Sequence, residues 1–270
     1  MLAASRWKKL AGLLLSVVFF GTGYVKADTQ TNSYPLDFYT EIYPPSAYIK
    51  DDQLTGLSVE TLRLVWQQLN ITEPPIWVVP WARGYVQVQR DRHTVLFAMS
   101  RSTKREKQFK WVGPIFTAHY LLVSNNNKLD NNALKSASFA LIRDDITEEL
   151  LLQLGVKNLV ESANMQQAEQ MLASKRIDIL AISASGLRDI FKQQPDKINQ
   201  YKVVCKLASV GDYFAFNRNV PESVISKYQQ AMMQLSSQIK QLRIKYKVDD
   251  TLNAHPYEFI NPPNCSPQIG

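Results

Sequence analysis

The groups in this chain that could do chemistry are few and scattered. Its three histidines, His93, His119 and His255, stand apart, with no second ligand at metal-binding spacing. Each reads as a surface or hydrogen-bonded structural residue rather than a metal ligand. Only ten glycines occur, and no P-loop, G-x-G-x-x-G or H-E-x-x-H can be written through the chain. Ser183-Ala184-Ser185-Gly186 does not form a nucleophile elbow. What remains is suited to holding an organic ligand. A run of cations, Arg101, Lys104, Arg105, Lys107 and Lys110, is either a solvated basic face or the flank of an anion site. A planar guanidinium can grip a carboxylate with two parallel charge-assisted hydrogen bonds, which a lysine cannot reproduce. Tyr43 and Trp81 offer amphipathic rings that can cover an aliphatic chain or pair with an ammonium. Glu41, Asp144 and Asp145 are the carboxylates available for acid–base work.

The elements that must position these groups alternate in period between strand and helix. Leu36 to Tyr43 predicts a strand ending at Pro44-Pro45, and Val59, Leu62, Val65, Trp66 and Leu69 mark one face of a helix. A short strand over 76–79 leads into a helix over 81–90, and strands are expected over 95–99 and 116–124. The polar stretch 125–135, with its five asparagines, reads as a passage between lobes. Beyond it the alternation restarts. Strands are expected over 138–142, 159–160, 177–182 and 201–207, with helices between them. Asp145 with Glu148, and Asn164 with Gln167, have helix-capping spacing. Tyr213 to Phe216 reads as a return to the first lobe. Pro221 then opens a helix bearing Val224, Tyr228, Ala231, Met232 and Leu235. Interleaved strands and helices predict an α/β architecture with mostly parallel sheets, in two lobes with a ligand cleft between them.

The 270 residues, 45% hydrophobic and 20% charged, exclude a disordered chain and a small disulfide scaffold. The formal charge of +7 invites a nucleic-acid reading. It fades once residues 1–27 are set aside as a signal peptide: a basic start (Arg6, Lys8, Lys9), an apolar run Leu10–Tyr24, and Val25-Lys26-Ala27 for cleavage. That segment holds four of the 31 Lys+Arg and no acid, leaving 27 against 24, or +3. An uncleaved N-terminal anchor is the alternative. The apolar run is shorter than the roughly 20 residues a membrane span needs. An exported chain meets an oxidising compartment, where Cys205 and Cys265 either pair or remain as two buried thiols.

Three stretches resemble bacterial extracellular solute-binding protein family 3, the polar amino-acid-binding proteins of ABC importers. They are Glu41-Ile-Tyr-Pro-Pro-Ser with Gln53-Leu-Thr-Gly-Leu-Ser-Val-Glu60, then Ala98 to Phe116 (AMSRSTKREKQFKWVGPIF), then Met171 to Leu180 (MLASKRIDIL). The resemblance implies the type II periplasmic-binding fold, two-lobed, with two hinge crossings and an interlobe cleft. Lobe 1 is then 28–123 plus 214–270, and lobe 2 is 124–213. It further implies that Arg105 forks the carboxylate of an amino-acid-like ligand with help from Ser100. Tyr43 and Trp81 would pack on that ligand, Arg83 would lie nearby, and Trp111 would be core. At the position where relatives carry the aspartate that accepts the ligand ammonium, this chain has Ser183. Asp144 and Asp145, where relatives carry a Gly-Thr pair, are either the replacement acid or only a helix cap. The implied protein is a periplasmic, monomeric binder that closes over a small carboxylate-bearing solute. It would have no cofactor, metal or nucleic acid, and a membrane permease or a sensor domain would be its partner. The alternative is a dehydratase-like enzyme on the same fold.

Overall fold

In a computed structural model, residues 34–126, 131–248, 264 and 265 are described, 131–133 as backbone only. The expected signal peptide, His255 and most of the tail lie outside them. Ten strands and eight helices alternate along these residues. The first six strands are β1 (Asp37–Thr40), β2 (Tyr48–Lys50), β3 (Gln53–Thr55), β4 (Ile76–Val78), β5 (Thr94–Ser100) and β6 (Phe109–Ser124). They are followed by β7 (Phe139–Ile142), β8 (Leu159–Ser162), β9 (Ile179–Ser183) and β10 (Lys202–Asn217). The helices that cover them are α1 (Leu57–Gln68), α2 (Trp81–Arg90), α3 (Asn131–Ser136), α4 (Ile146–Gln153), α5 (Met165–Ala173), α6 (Ala184–Gln193), α7 (Glu222–Gln234) and α8 (Ser236–Lys245). No described helix is long and apolar enough to cross a membrane.

Eight strands make one sheet in the order β4-β1-β5-β10-β6-β9-β7-β8. Its two ends are parallel, β4-β1-β5 and β9-β7-β8, as the βαβ alternation predicts. Its middle corrects the expectation of mostly parallel pairing. β6 and β10 are each 16 residues long and run antiparallel to one another along almost their whole length. The segments expected as separate pieces, 201–207 and 213–216, are thus one strand that reaches both ends of the sheet. The hairpin β2-β3 had no alternating pattern to announce it and was not expected.

Each end has its own core. At the first, α1 lays Val59, Leu62, Val65 and Trp66 against Phe38, Phe97, Phe214 and Phe216. At the second, Leu121, Leu180 and Ile182 pack under Leu172 and Leu187, with a companion cluster around Phe139, Leu141 and Leu151. A large side chain buried this way is worth about 1.5–3 kcal/mol, so either core is a substantial hold on its end of the sheet. Cys205 and Cys265 are joined by a disulfide with Cα atoms 5.0 Å apart. The Cys265 amide donates to the Lys206 carbonyl, which pins the chain beside β10. Trp111, expected in the core, is only half-buried; it packs edge-on to Phe109 and Tyr213 with the Arg101 guanidinium 5.7 Å from its ring centre.

Candidate functional site

Several side chains singled out in the sequence meet in one small chamber at the middle of the sheet. Tyr43, Trp81, Asp145 and Ser183 line it together with Glu41, Phe116, Tyr120 and Asp212, around a volume of about 30 Å³. The register explains the gathering. Asp212 on β10 lies between Ser100 on β5 and Phe116 on β6, and Tyr120 on β6 lies beside Ser183 on β9. At this point β5 and β10 slip register. Met99 pairs with Tyr213 and Phe97 with Phe214, leaving Ala98 out of the ladder with φ +60°. Such a bulge re-aims side chains and collects beside functional sites.

At and beside the chamber, hydrogen bonds join residues of the two sheet ends. The Tyr43 hydroxyl and Ser183 Oγ are 2.8 Å apart. Trp81 Nε1 donates to the Asp144 carbonyl at 2.9 Å, and Arg105 Nη2 donates to the same oxygen at 2.7 Å. Ser102 Oγ donates to Glu149 at 2.6 Å. Asp144 offers that carbonyl from a left-handed backbone, φ +60°, just before α4. Gly186 allows the first of these contacts, since a Cβ there would lie 2.6 Å from the Tyr43 hydroxyl.

Arg105 is 4% exposed, and its guanidinium is engaged with protein. Nη1 donates to the Ser100 carbonyl at 3.2 Å, Nη2 to Asp144, and the group lies 5.2 Å from the Tyr85 ring centre. It does not line the chamber. It lines a separate cavity of about 280 Å³ with Tyr85, Asp144, Asp145 and Glu148. Ser100 stands behind the chamber wall, bonded to the Tyr120 hydroxyl at 2.8 Å and donating to Asp212. Arg83 is not among the residues around the chamber. Asp145 is the helix cap that was one of the two roles weighed for it, and it also faces the chamber. Its Oδ1 caps α4 by accepting from the Thr147 amide (3.0 Å) and hydroxyl (2.6 Å). Ser183 caps α6 through the Gly186 amide at 3.0 Å.

Asp212 was missed by the sequence reading, and Glu41 was weighed there only as an enzymatic acid. Burial pushes the Asp212 carboxyl up to about 7; nearby Asp145 adds to the rise, while the Ser100 hydroxyl and Arg105 oppose it. Burial likewise pushes Glu41 up to about 8, with Asp145 again adding. Burial also raises the Tyr43 and Tyr120 hydroxyls. These shifts record carboxylates taken from water without a full complement of donors. Beyond Glu41 and Tyr43, which line both spaces, the chamber adjoins a groove of about 530 Å³ between Val78-Val79-Pro80 and the α5 and α6 residues Met165, Asp189 and Ile190. Among the described residues no group of three His, Cys, Asp or Glu is placed to hold a metal ion.

A comparison with curated protein sequences finds no match. Solved structures share the fold at low identity. One is a histidine kinase sensor domain with similarity to periplasmic binding proteins (19% identity, covering 79% of this chain and 96% of that one, TM-score 0.69). Another is the arginine-, lysine-, histidine-binding protein ArtJ of Geobacillus stearothermophilus (14% identity, 80% and 97% covered, TM-score 0.70). A third is the GluR0 ligand-binding core of Nostoc punctiforme in complex with L-glutamate (18% identity, 78% and 99% covered, TM-score 0.66). The chain has the type II periplasmic-binding fold, and over residues 38–143 it is similar to the bacterial extracellular solute-binding proteins, family 3.

Proposed function

We propose that this is a periplasmic solute-binding protein whose two lobes, 28–123 plus 214–270 and 124–213, close over a small organic ligand. The observation that carries the reading is the chamber itself. Tyr43 and Trp81 come from one end of the sheet, Ser183 and Asp145 from the other, and they wall a single space. A ligand there touches both lobes at once, so it binds the closed form better than the open one and shifts the population accordingly. The closed form then docks to an importer or signals through a sensor domain, and the likeness to a kinase sensor domain supports keeping both partners. A thermal-shift screen of amino acids, amines and dicarboxylates tests the reading, since a solute at a hundred times its Kd stabilises by about 2.7 kcal/mol. Failure of every class to raise Tm removes it.

The enzymatic alternative is favoured by one feature, two carboxyls near neutrality, Glu41 at about 8 and Asp212 at about 7, where a general acid or base works best. Incubating any ligand that raises Tm with the protein and following its consumption separates the two. Return of intact ligand supports binding alone.

A further inference from the structure

We propose that the solute is an elongated organic cation held through its nitrogens, and that a carboxylate on it is not required. This rests on the solute-binding reading and names the ligand class of the same chamber. The charges around the space are of one sign. Glu41, Asp145 and Asp212 line the chamber, and no lysine or arginine is among its described lining residues. The adjoining groove repeats the pattern, adding Asp189 and Glu169 without a cation, although Glu169 is already paired with Lys197.

Glu41 makes the case independently of the charge count. Its carboxylate is half-buried, the residue lines both spaces, and no described side chain donates a hydrogen bond to it. A half-buried acid with no protein donor gains free energy when a cationic partner arrives. The three chamber acids are not arranged to share a metal ion, so the partner must be wider and carry several N–H donors. Tyr43, Trp81, Phe116 and Tyr120 supply aromatic walls, which favour an alkylammonium or guanidinium over a hydrated inorganic ion.

The group expected to bind a ligand carboxylate is otherwise employed. Both terminal nitrogens of Arg105 donate to backbone carbonyls, and the one reaching Asp144 holds the turn that delivers Asp145 to the chamber. Arg105 is thus a positioning residue for an acid. The chamber is small, and Glu41 and Tyr43 stand where it meets the groove. A charged head in the chamber therefore continues as a chain over Ile42, Pro44 and Val78, toward Asp189.

Matched pairs that differ only in the carboxylate test this directly: L-arginine with agmatine, L-lysine with cadaverine, L-ornithine with putrescine, each titrated by calorimetry. The expected result is that the decarboxylated member of at least one pair binds as tightly as its amino acid or tighter. Asp212→Asn and Glu41→Gln should each weaken that binding at least tenfold while the circular dichroism spectrum is unchanged. If one of the two variants does not fold, the other decides. Amino acids binding tenfold or more tightly than their amines would overturn the proposal and leave solute binding standing, as would a neutral or anionic solute as the only binder. If no solute of any class binds, the functional reading falls with it.

Discussion

At the scale of single residues, the buried acids make the empty protein's stability depend on pH in an unusual direction. Asp212 is held near 7 when folded but titrates near its ordinary value of 3.8 when unfolded. Between those values the folded chain holds a proton that the unfolded chain has released. Its contribution to stability is therefore full at low pH and is lost as pH rises toward 7 and above. The charges and hydroxyls that set this are Asp145, Tyr120, Ser100 and Arg105. Glu41 acts in the same sense up to about 8. Asp212→Asn, which keeps an acceptor for Ser100, should therefore raise Tm more at pH 8 than at pH 5, by about 2–4 °C per kcal/mol relieved. Melting curves at the two pH values check it, and equal shifts at both would show that Asp212 is ordinary. Arg105→Ala leaves two carbonyls without their charged donor and should cost about 2–3 kcal/mol in urea unfolding. Tyr43, Trp81 and Asp145 were candidates through the resemblance to the solute-binding family, and the structure places all three around one chamber. Asp212 was not legible, because its place depends on a register slip that no local spacing records.

At the scale of elements, periodicity carried most of the secondary structure. The helix expected over 81–90 is α2, and the stripe Val59-Leu62-Val65-Trp66 is the buried face of α1. What periodicity could not carry was how far β6 and β10 extend. Both hold buried and half-exposed residues in irregular alternation, and pairing between distant segments decides their length. Gly186 in α6 is another position explained only by a distant partner. Alanine would suit the helix, but its Cβ would press on the Tyr43 hydroxyl. Gly186→Ala should weaken ligand binding several-fold alone and much less beside Tyr43→Phe, since residues in contact are not additive. Calorimetry of the two single variants and the double checks the coupling. The Cys205–Cys265 bridge closes a loop with a sequence separation of 60. Replacing both cysteines by serine should cost about 2–4 kcal/mol of unfolding free energy, measured in urea.

For the whole molecule, the proposed closure of two lobes gives the contacts that join the sheet ends a second role, setting the balance between open and closed forms. Tyr43–Ser183, Trp81–Asp144, Arg105–Asp144 and Ser102–Glu149 each join residues from opposite ends of the sheet. They are made between protein groups, so they favour closure even without solute. A ligand then needs to add only the remaining differential affinity, and its apparent Kd is its intrinsic Kd divided by the closed fraction. The Ser102–Glu149 bond is the best place to measure this, because it lies outside the chamber and touches none of the carboxylates proposed to hold the ligand. Losing a hydrogen bond worth about 1 kcal/mol lowers the closed-to-open ratio about fivefold. Ser102→Ala should therefore lower the closed fraction of the empty protein, read by energy transfer between dyes on α2 and α5. Saturating ligand should restore the closed value. An unchanged transfer efficiency in the empty variant would mean that these contacts form only after the solute has drawn the lobes together.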